Sequence, residues 1–369
     1  MFILFDASII QDLENQDGQY KNDLIRLLNE TTICMYHRNH YVSAISSDVA
    51  KSLRDFALSN DEKKIALAFD YIYRNYTILN SIIEHLNYFV LIGRFDNDWE
   101  FSENKLRVNY KFAMEQHFWD ETFLIPENIE DDKYLLKIVD YEKSKYLPFQ
   151  HISYKFRQEQ GGGGKNIKQV FLTRLQEHAF VLSILDTDKK SPSDVYGATA
   201  KCFEGDSVIH QYKDIFYYIP NIHEIENLFS SDGFMMLSSY NGNTRNKIKE
   251  IENKSVSEAD VFRAFLDIKN GYTYKKIHET DYLKKLFEAD ISTVTCSKGT
   301  CPCDKSCERI ILQGIKKYLS DIFSNQCFES TFESSVDMLI PSIKEEWEQI
   351  FKIFITTCCC NSDKITGVN

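Results

Sequence analysis

The chain is short of positive charge and of long apolar runs. Among its 369 residues, 43 Lys and Arg face 55 Asp and Glu, so the formal net charge is −12. The sequence has no strongly basic tail and its net charge is negative, so nucleic acid would have to bind at a local basic groove. No apolar run approaches the length that spans a bilayer, and Met1–Ile10 lacks the basic flank and cleavage site of a signal peptide. We therefore expect a cytoplasmic protein with no membrane span.

A nucleotide-binding P-loop is also missing. Gly161–Gly164 precede Lys165 and a predicted helix, which is the setting of a Walker A loop. That motif requires glycine at position 159 and Ser or Thr at position 166, where this chain has Glu159 and Asn166. The chain is therefore not itself a P-loop ATPase. The glycine run is either a loop that brings backbone N–H groups to a phosphate or a flexible connection.

Ten cysteines in a chain of this kind indicate reduced thiols or metal ligands, and not a disulfide scaffold. Four of them form a C-x4-C-x-C-x3-C pattern, whose thiolates can surround one structural Zn²⁺: Cys296, Cys301, Cys303 and Cys307. Cys358–Cys360 could supply replacement ligands. The alternative is a set of free thiols in a reducing cytosol.

The length predicts two or three domains, and the patterns divide the chain into three regions. Residues 1–118 carry apolar residues at helical spacing and are predicted to be mainly helical. Residues 119–235 alternate between strand and helix patterns. Residues 236–369 are predicted to be helical and contain the cysteine cluster, after a boundary loop near Ser238–Thr244.

The middle region has the order strand, helix, strand, helix, strand. Its strands are Phe123–Ile125, His151–Phe156 and the apolar run Ala179–Leu185, with helices near residues 129–139 and 166–176. Val208–Ile219 reads as a further extended segment. This order predicts an α/β fold with right-handed crossovers and a parallel sheet.

Three acids fall at the predicted carboxyl ends of these strands. Asp186 and Asp188 follow the buried run, where carboxylates are costly unless something pairs with them. Because residues i and i+2 of an extended segment point the same way, the side chains of Asp186 and Asp188 are expected to face one spot. Glu127 follows the first strand of the region. Such oxygen ligands suit Mg²⁺, and one glutamate with an Asp pair at one sheet edge suits metal-assisted phosphoryl transfer.

These motifs resemble the TOPRIM fold of topoisomerases, bacterial primases and OLD-like nucleases. Leu124–Asn128 matches the glutamate after strand one, although the usual glycine that follows it is Asn128, and Ser183–Asp188 matches the D-x-D after strand three. The resemblance covers about a third of the chain. It implies a TOPRIM-like parallel sheet at 119–235 and a Mg²⁺- or Mn²⁺-dependent endonuclease. It places Glu127, Asp186 and Asp188 on the metal and Lys189 near the scissile phosphate.

A second segment, His223–Leu228, is similar to the E-I-E-N segment of TOPRIM effectors in bacterial anti-phage systems such as PARIS. The resemblance implies that Glu224 or Glu226 is a further ligand or positioning residue. Since i and i+2 cannot share one helix face, we favour Glu226. It also implies a toxic effector of antiviral defence that an ABC-type ATPase partner holds inactive. The substrate would be DNA or RNA, including tRNA, and the helical regions would supply dimerisation and partner docking.

Three alternatives stand beside this interpretation. A non-catalytic TOPRIM scaffold could bind the ATPase or nucleic acid, and a primase- or topoisomerase-like enzyme could use the same acids. A PIN-type nuclease would use the acid after Phe2–Phe5, namely Asp6. That fold needs further carboxylates at strand ends, whereas Asp48 and Asp55 fall in a predicted helix.

Overall fold

The structure is a computed structural model that describes residues 1–11, 13, 18–115, 117–128, 131–231, 237–253, 262–292, 307–316, 336 and 339–361. Its contacts divide the chain into two compact units. The first unit comprises Met1–Leu185, Cys202–Tyr218 and Gln349–Asn369, and the second comprises Asp186–Lys201 and Ile219–Glu348. These divisions fall at other positions than the boundaries predicted near residues 118 and 235.

The first unit begins with a five-stranded sheet that the sequence analysis did not predict. Its strands run in the order β2-β1-β3-β5-β4, and every pairing is parallel except that of β4 with β5. They are β1 (Phe2–Phe5), β2 (Tyr41–Ala44), β3 (Phe89–Gly93), β4 (Trp99–Ser102) and β5 (Lys105–Asn109). The prediction of a mainly helical region was therefore incomplete, because strands of four or five residues leave too little periodicity to identify.

The helix predicted over Glu62–Leu91 ends at Asn80, and the last residues of that range begin β3 at Phe89. Three helices form in this region. They are α1 (Gly18–His37), α2 (Ser47–Ser59) and α3 (Lys63–Asn80). The Ser46 hydroxyl accepts the Val49 N–H and so caps the start of α2. Asp6, which the PIN alternative would use, caps a short 3₁₀ helix by accepting the Ser8 N–H.

A second, four-stranded sheet in the same unit is entirely parallel. Its order is β10-β9-β6-β8. The elements are β6 (Thr122–Leu124), α4 (Asp131–Lys145), β7 (Ile152–Tyr154), β8 (Phe156–Gln158), α5 (Gly164–Gln176), β9 (Val181–Ile184), α6 (Ala198–Glu204), α7 (Ser207–His210) and β10 (Tyr217–Tyr218). The predicted α/β class and parallel sheet are confirmed.

Two details of that sheet differ from prediction. The predicted strand at 151–156 is two strands, because β7 leaves the sheet to pair antiparallel with β13 (Cys359–Asn361). The predicted extended segment at 208–219 was wrong. Asp206 accepts the Val208 and Ile209 N–H groups and starts a helical turn, so only β10 is extended.

Strands β6 and β9 are direct neighbours. Phe123 lies opposite Val181, and the Ile125 N–H donates to the Leu182 carbonyl at 2.8 Å. The chain therefore leaves both strands at the same edge of the sheet.

The second unit contains α8 (Leu237–Glu252), β11 (Gly271–Thr273), α9 (Tyr274–Ile277), α10 (Asp281–Leu286), α11 (Glu288–Ser292) and β12 (Ile310–Gln313). Helix α12 (Pro341–Cys358) contains residues of both units. Two predictions here were wrong. The expected boundary loop at 238–244 lies inside α8. Ile310–Gln313, expected to be helical with the rest of residues 236–369, forms β12 and pairs antiparallel with β11. Across the described ranges, no helix is both long and apolar enough to cross a bilayer.

Candidate metal centre

Side chains of the loop after β9 hold it in place through hydrogen bonds to other residues of the second unit. Asp186 is buried, and its Oδ1 accepts the Ile225 N–H at 3.0 Å. The Thr187 hydroxyl donates to the Ile222 carbonyl and accepts the Lys189 N–H at 3.1 Å. The predicted carboxylate at position 186 is therefore held against the segment that carries the E-I-E-N motif.

Asp188 adopts a different backbone conformation from its neighbour. Its φ angle is +55°, in the left-handed region, and its N–H donates to the His223 carbonyl at 3.0 Å. Its side chain is exposed and lies against Gly197, where a Cβ atom would meet Asp188 Oδ2 at 2.1 Å. The segment is therefore not extended through Asp188, and the rule that residues i and i+2 point the same way does not apply to Asp186 and Asp188. The missing side chain at Gly197 makes room for its carboxylate.

Glu224 and Glu226 both contact the ammonium group of Lys269. The Lys269 ammonium nitrogen lies 3.7 Å from Glu224 Oε1 and 3.3 Å from Glu226 Oε1. Both glutamates therefore face Lys269, while the preference for Glu226 as the metal ligand stays a prediction. Glu224 is extended and precedes a 3₁₀ helix at Ile225–Leu228, so the i, i+2 rule for α-helices does not apply.

Both glutamates keep an unsatisfied oxygen. Glu224 Oε2 and Glu226 Oε2 are buried and accept no hydrogen bond from the described residues. Burial, followed by the charge of Glu226, raises the pKa of Glu224 from 4.5 to about 8, against the opposing effect of Lys269. Buried carboxylate oxygens without a donor are costly, and a proton on Glu224 or a bound cation would each remove part of that cost.

His223 presents one ring nitrogen to the same region. Its Nδ1 lies 2.8 Å from the Lys189 carbonyl, which can only accept, so Nδ1 carries the hydrogen. Burial lowers the pKa of His223, which favours the neutral imidazole. Nε2 is then the unprotonated nitrogen, whose lone pair can bind a metal ion, and it lies 4.0 Å from Asp267 Oδ2. A carbonyl that fixes the tautomer of a histidine in this way is common behind metal-ligating imidazoles.

Asp267 completes the group. It is buried, and its Oδ1 accepts the Asn270 N–H at 2.7 Å, which fixes the turn before β11. One ligand atom each from His223, Glu224 and Asp267 lies within 4.8 Å of the others. We call Asp186, Asp188, Glu224, Glu226 and Asp267 the acid cluster. Its oxygens suit Mg²⁺ or Mn²⁺, and the imidazole adds a ligand that Mg²⁺ seldom uses.

Three further sequence features of the predicted site are Lys189, Glu127 and the glycine run. The Lys189 ammonium lies 4.6 Å from the centre of the Tyr196 ring and is partly exposed. Glu127 belongs to the first unit, and its metal-binding role stays a prediction. In the glycine run before α5, Gly162, Gly163 and Gly164 have positive φ angles.

The zinc prediction falls largely outside the described residues. Cys296, Cys301 and Cys303 lie there, while Cys307 is described as a partly buried free thiol. Cys358–Cys360, considered as replacement ligands, are buried free thiols of the first unit. Burial raises the pKa of Cys359 to about 11, which opposes the thiolate form that zinc requires.

Sequence reasoning missed Asp267 and Lys269, and gave His223 no role. Both missed residues lie some 40 positions beyond the E-I-E-N motif, in the turn D-I-K-N-G. That pattern identifies a turn before a strand, but it carries no sign of which distant carboxylates the turn will meet.

Comparison with known proteins adds no assignment: no family model, curated protein or solved structure matches this chain.

Proposed function

We propose that this chain is a metal-dependent nuclease that hydrolyses phosphodiester bonds of DNA or RNA. The observation that carries the proposal is the acid cluster, in which Glu224 and Glu226 each keep a buried oxygen with no hydrogen-bond donor among the described residues. A divalent ion bound there would activate water and neutralise charge on a phosphate. The D-x-D and E-I-E-N motifs, from which the TOPRIM resemblance was drawn, both contribute carboxylates to this cluster.

The residues would divide the work by position. Glu224, Asp267 and the Nε2 atom of His223 would hold a cation of Mn²⁺ or Mg²⁺ type. Buried Asp186 would fix the E-I-E-N segment through the Ile225 N–H, and exposed Asp188 would face solvent and substrate. Glu127 and Lys189 keep the roles that the resemblance implies, as a further metal ligand and a phosphate contact.

The same resemblance extends the proposal to a biological setting. We propose a toxic effector of bacterial anti-phage defence, held inactive by an ABC-type ATPase and acting as a homodimer. The support for this part is the E-I-E-N segment alone.

A specific contact favours a second candidate function, that of a non-catalytic scaffold. Lys269 already neutralises Glu224 and Glu226, so a protein cation could replace a metal permanently. A scaffold of this kind would bind the ATPase or nucleic acid without cleaving it.

The test is cleavage of labelled plasmid DNA and total tRNA with Mg²⁺ or Mn²⁺, comparing wild type with Asp186→Ala. The matched surface variant Asp281→Ala, at a side chain that is 98% exposed, serves as control. We expect metal-dependent cleavage by wild type and the control, and none by Asp186→Ala. Cleavage that survives in Asp186→Ala would overturn the proposal. Absence of cleavage, both by the isolated chain and with the neighbouring ATPase co-expressed, would favour the scaffold.

A further inference from the structure

A cavity of about 650 Å³ lies in the second unit beside β11 and β12. Its charged lining consists of three lysines: Lys269, Lys276 and Lys316. No Asp or Glu is among the described residues that line it, although the chain as a whole carries a net charge of −12. The cavity therefore concentrates positive charge in an acidic protein.

The backbone fixes two of these lysines side by side. The Lys316 N–H donates to the Lys269 carbonyl at 3.0 Å. Gly271 and Gly314 permit this approach, since a Cβ at Gly314 would lie 2.3 Å from the Lys269 carbonyl oxygen. The Lys269 ammonium is held by Glu224 and Glu226, so Lys316 adds to this wall a second positive charge that those carboxylates do not pair with.

The third lysine comes from α9. The Thr273 hydroxyl accepts the Lys276 N–H and caps this helix directly after β11. Within the described ranges, the ammonium groups of Lys276 and Lys316 make no hydrogen bond or ion pair. The neighbouring Lys275, by contrast, is paired with Glu308 at 2.9 Å. Polar groups of Asn270, Thr273 and Gln313 complete the lining and can hydrogen-bond to oxygens.

We propose that this cavity binds a phosphate group, with Lys276 and Lys316 as its principal contacts. Lys269 lines the cavity and also contacts Glu224 and Glu226, so the phosphate would lie next to the acid cluster. That the phosphate belongs to a nucleic-acid backbone rests on the proposed function. A mononucleotide carries the same chemistry, and the experiment separates the two sources.

The experiment measures binding to the full chain in EDTA, without metal. The probes are a fluorescent single-stranded DNA oligonucleotide, the same sequence with an uncharged methylphosphonate backbone, AMP and adenosine. The variants are the double substitution Lys276→Ala with Lys316→Ala, and Lys275→Ala as matched control. Thermal unfolding of each variant checks that the fold is intact, and Lys316→Glu provides a second change at an exposed position.

We expect the double variant to bind the charged probe at least tenfold more weakly than wild type, and Lys275→Ala to bind it less than twofold more weakly. The salt dependence of binding should also become shallower in the double variant, by about 0.7 in slope for each phosphate that the protein no longer neutralises. Binding of AMP as well as of the oligonucleotide identifies a mononucleotide phosphate, and binding of the oligonucleotide alone identifies the backbone. Either result supports the site.

Three results would overturn the inference: no binding of any phosphate probe, equal binding of the uncharged backbone, or equal affinity of the double variant and Lys275→Ala. Because the assay contains no metal and reads no cleavage, its outcome is independent of the nuclease test. Binding without cleavage, both by the isolated chain and with the ATPase partner, would leave this site standing and favour the scaffold.

Discussion

Lys269 and Glu226 form an ion pair of 3.3 Å, and the same ammonium nitrogen lies 3.7 Å from Glu224. One lysine thus partly neutralises two buried carboxylates that are adjacent to His223 and Asp267 in the candidate metal centre. The pair places the protein's own cation beside the position that we assign to a metal ion.

We predict that Lys269→Met destabilises the protein in EDTA and that Mn²⁺ restores much of the stability. Removing one partner of a buried ion pair typically costs about 3–5 kcal/mol, and here it leaves two carboxylates facing each other. The measurement is urea unfolding with and without Mn²⁺. Lys275→Met, which removes a lysine from an exposed pair with Glu308, should leave stability almost unchanged. Equal effects of the two variants, or no recovery with Mn²⁺, would contradict the assignment.

A second prediction concerns pH. The pKa of Glu224 is raised from 4.5 to about 8, first by burial and then by Glu226, with Asp267 and Asp188 adding to the shift and Lys269 opposing it. The folded state therefore binds more protons than the unfolded state between these two values, and its free energy of unfolding falls as the pH rises through them.

We expect the stability of wild type in EDTA to fall by on the order of 3–5 kcal/mol more than that of Glu224→Gln between about pH 5 and about pH 9. The glutamine side chain keeps the shape but has no proton to release. Urea unfolding at both pH values gives the difference. Parallel pH profiles for the two proteins would show that Glu224 ionises normally.

A third prediction concerns the contact of the Asp188 side chain with Gly197, which has no side chain of its own. In Gly197→Ala the new Cβ would lie 2.1 Å from Asp188 Oδ2 and 2.5 Å from Asp188 Cβ, so rotation of the carboxylate alone cannot relieve the overlap and the loop at Asp188 must shift. We therefore expect Mn²⁺ affinity to fall several-fold, with thermal unfolding checking that the variant is folded. Gly18→Ala is the matched control, because nothing lies within 4 Å of a Cβ at that position. Unchanged Mn²⁺ affinity in Gly197→Ala would exclude Asp188 from the site.

The sequence predicted those parts of the molecule that depend on local pattern. The apolar run before Asp186 identified β9, and the strand and helix alternation identified the parallel sheet. Phe2–Phe5 was considered as a strand before Asp6, but the five-stranded sheet was missed because its other strands are only four or five residues long, which leaves little alternation to detect.

The candidate site was predicted in the same way, by motif and not by contact. Asp186, Asp188, Glu224 and Glu226 are in motifs, whereas Asp267 and Lys269 reach the site only through tertiary folding. The pairing of both glutamates with Lys269 depends on a 3₁₀ turn at Ile225–Leu228, which the helix rule applied to the sequence did not consider.

Titration of the full chain with Mn²⁺, followed by calorimetry, tests the central claim most directly. Asp267→Asn retains an oxygen for the Asn270 N–H but removes the charge, and Asp281→Asn makes the same change at an exposed surface position. We predict that wild type and Asp281→Asn bind Mn²⁺ alike and that Asp267→Asn binds at least tenfold more weakly. Failure of wild type to bind Mn²⁺, or equal affinity of all three proteins, would contradict a metal centre at this cluster.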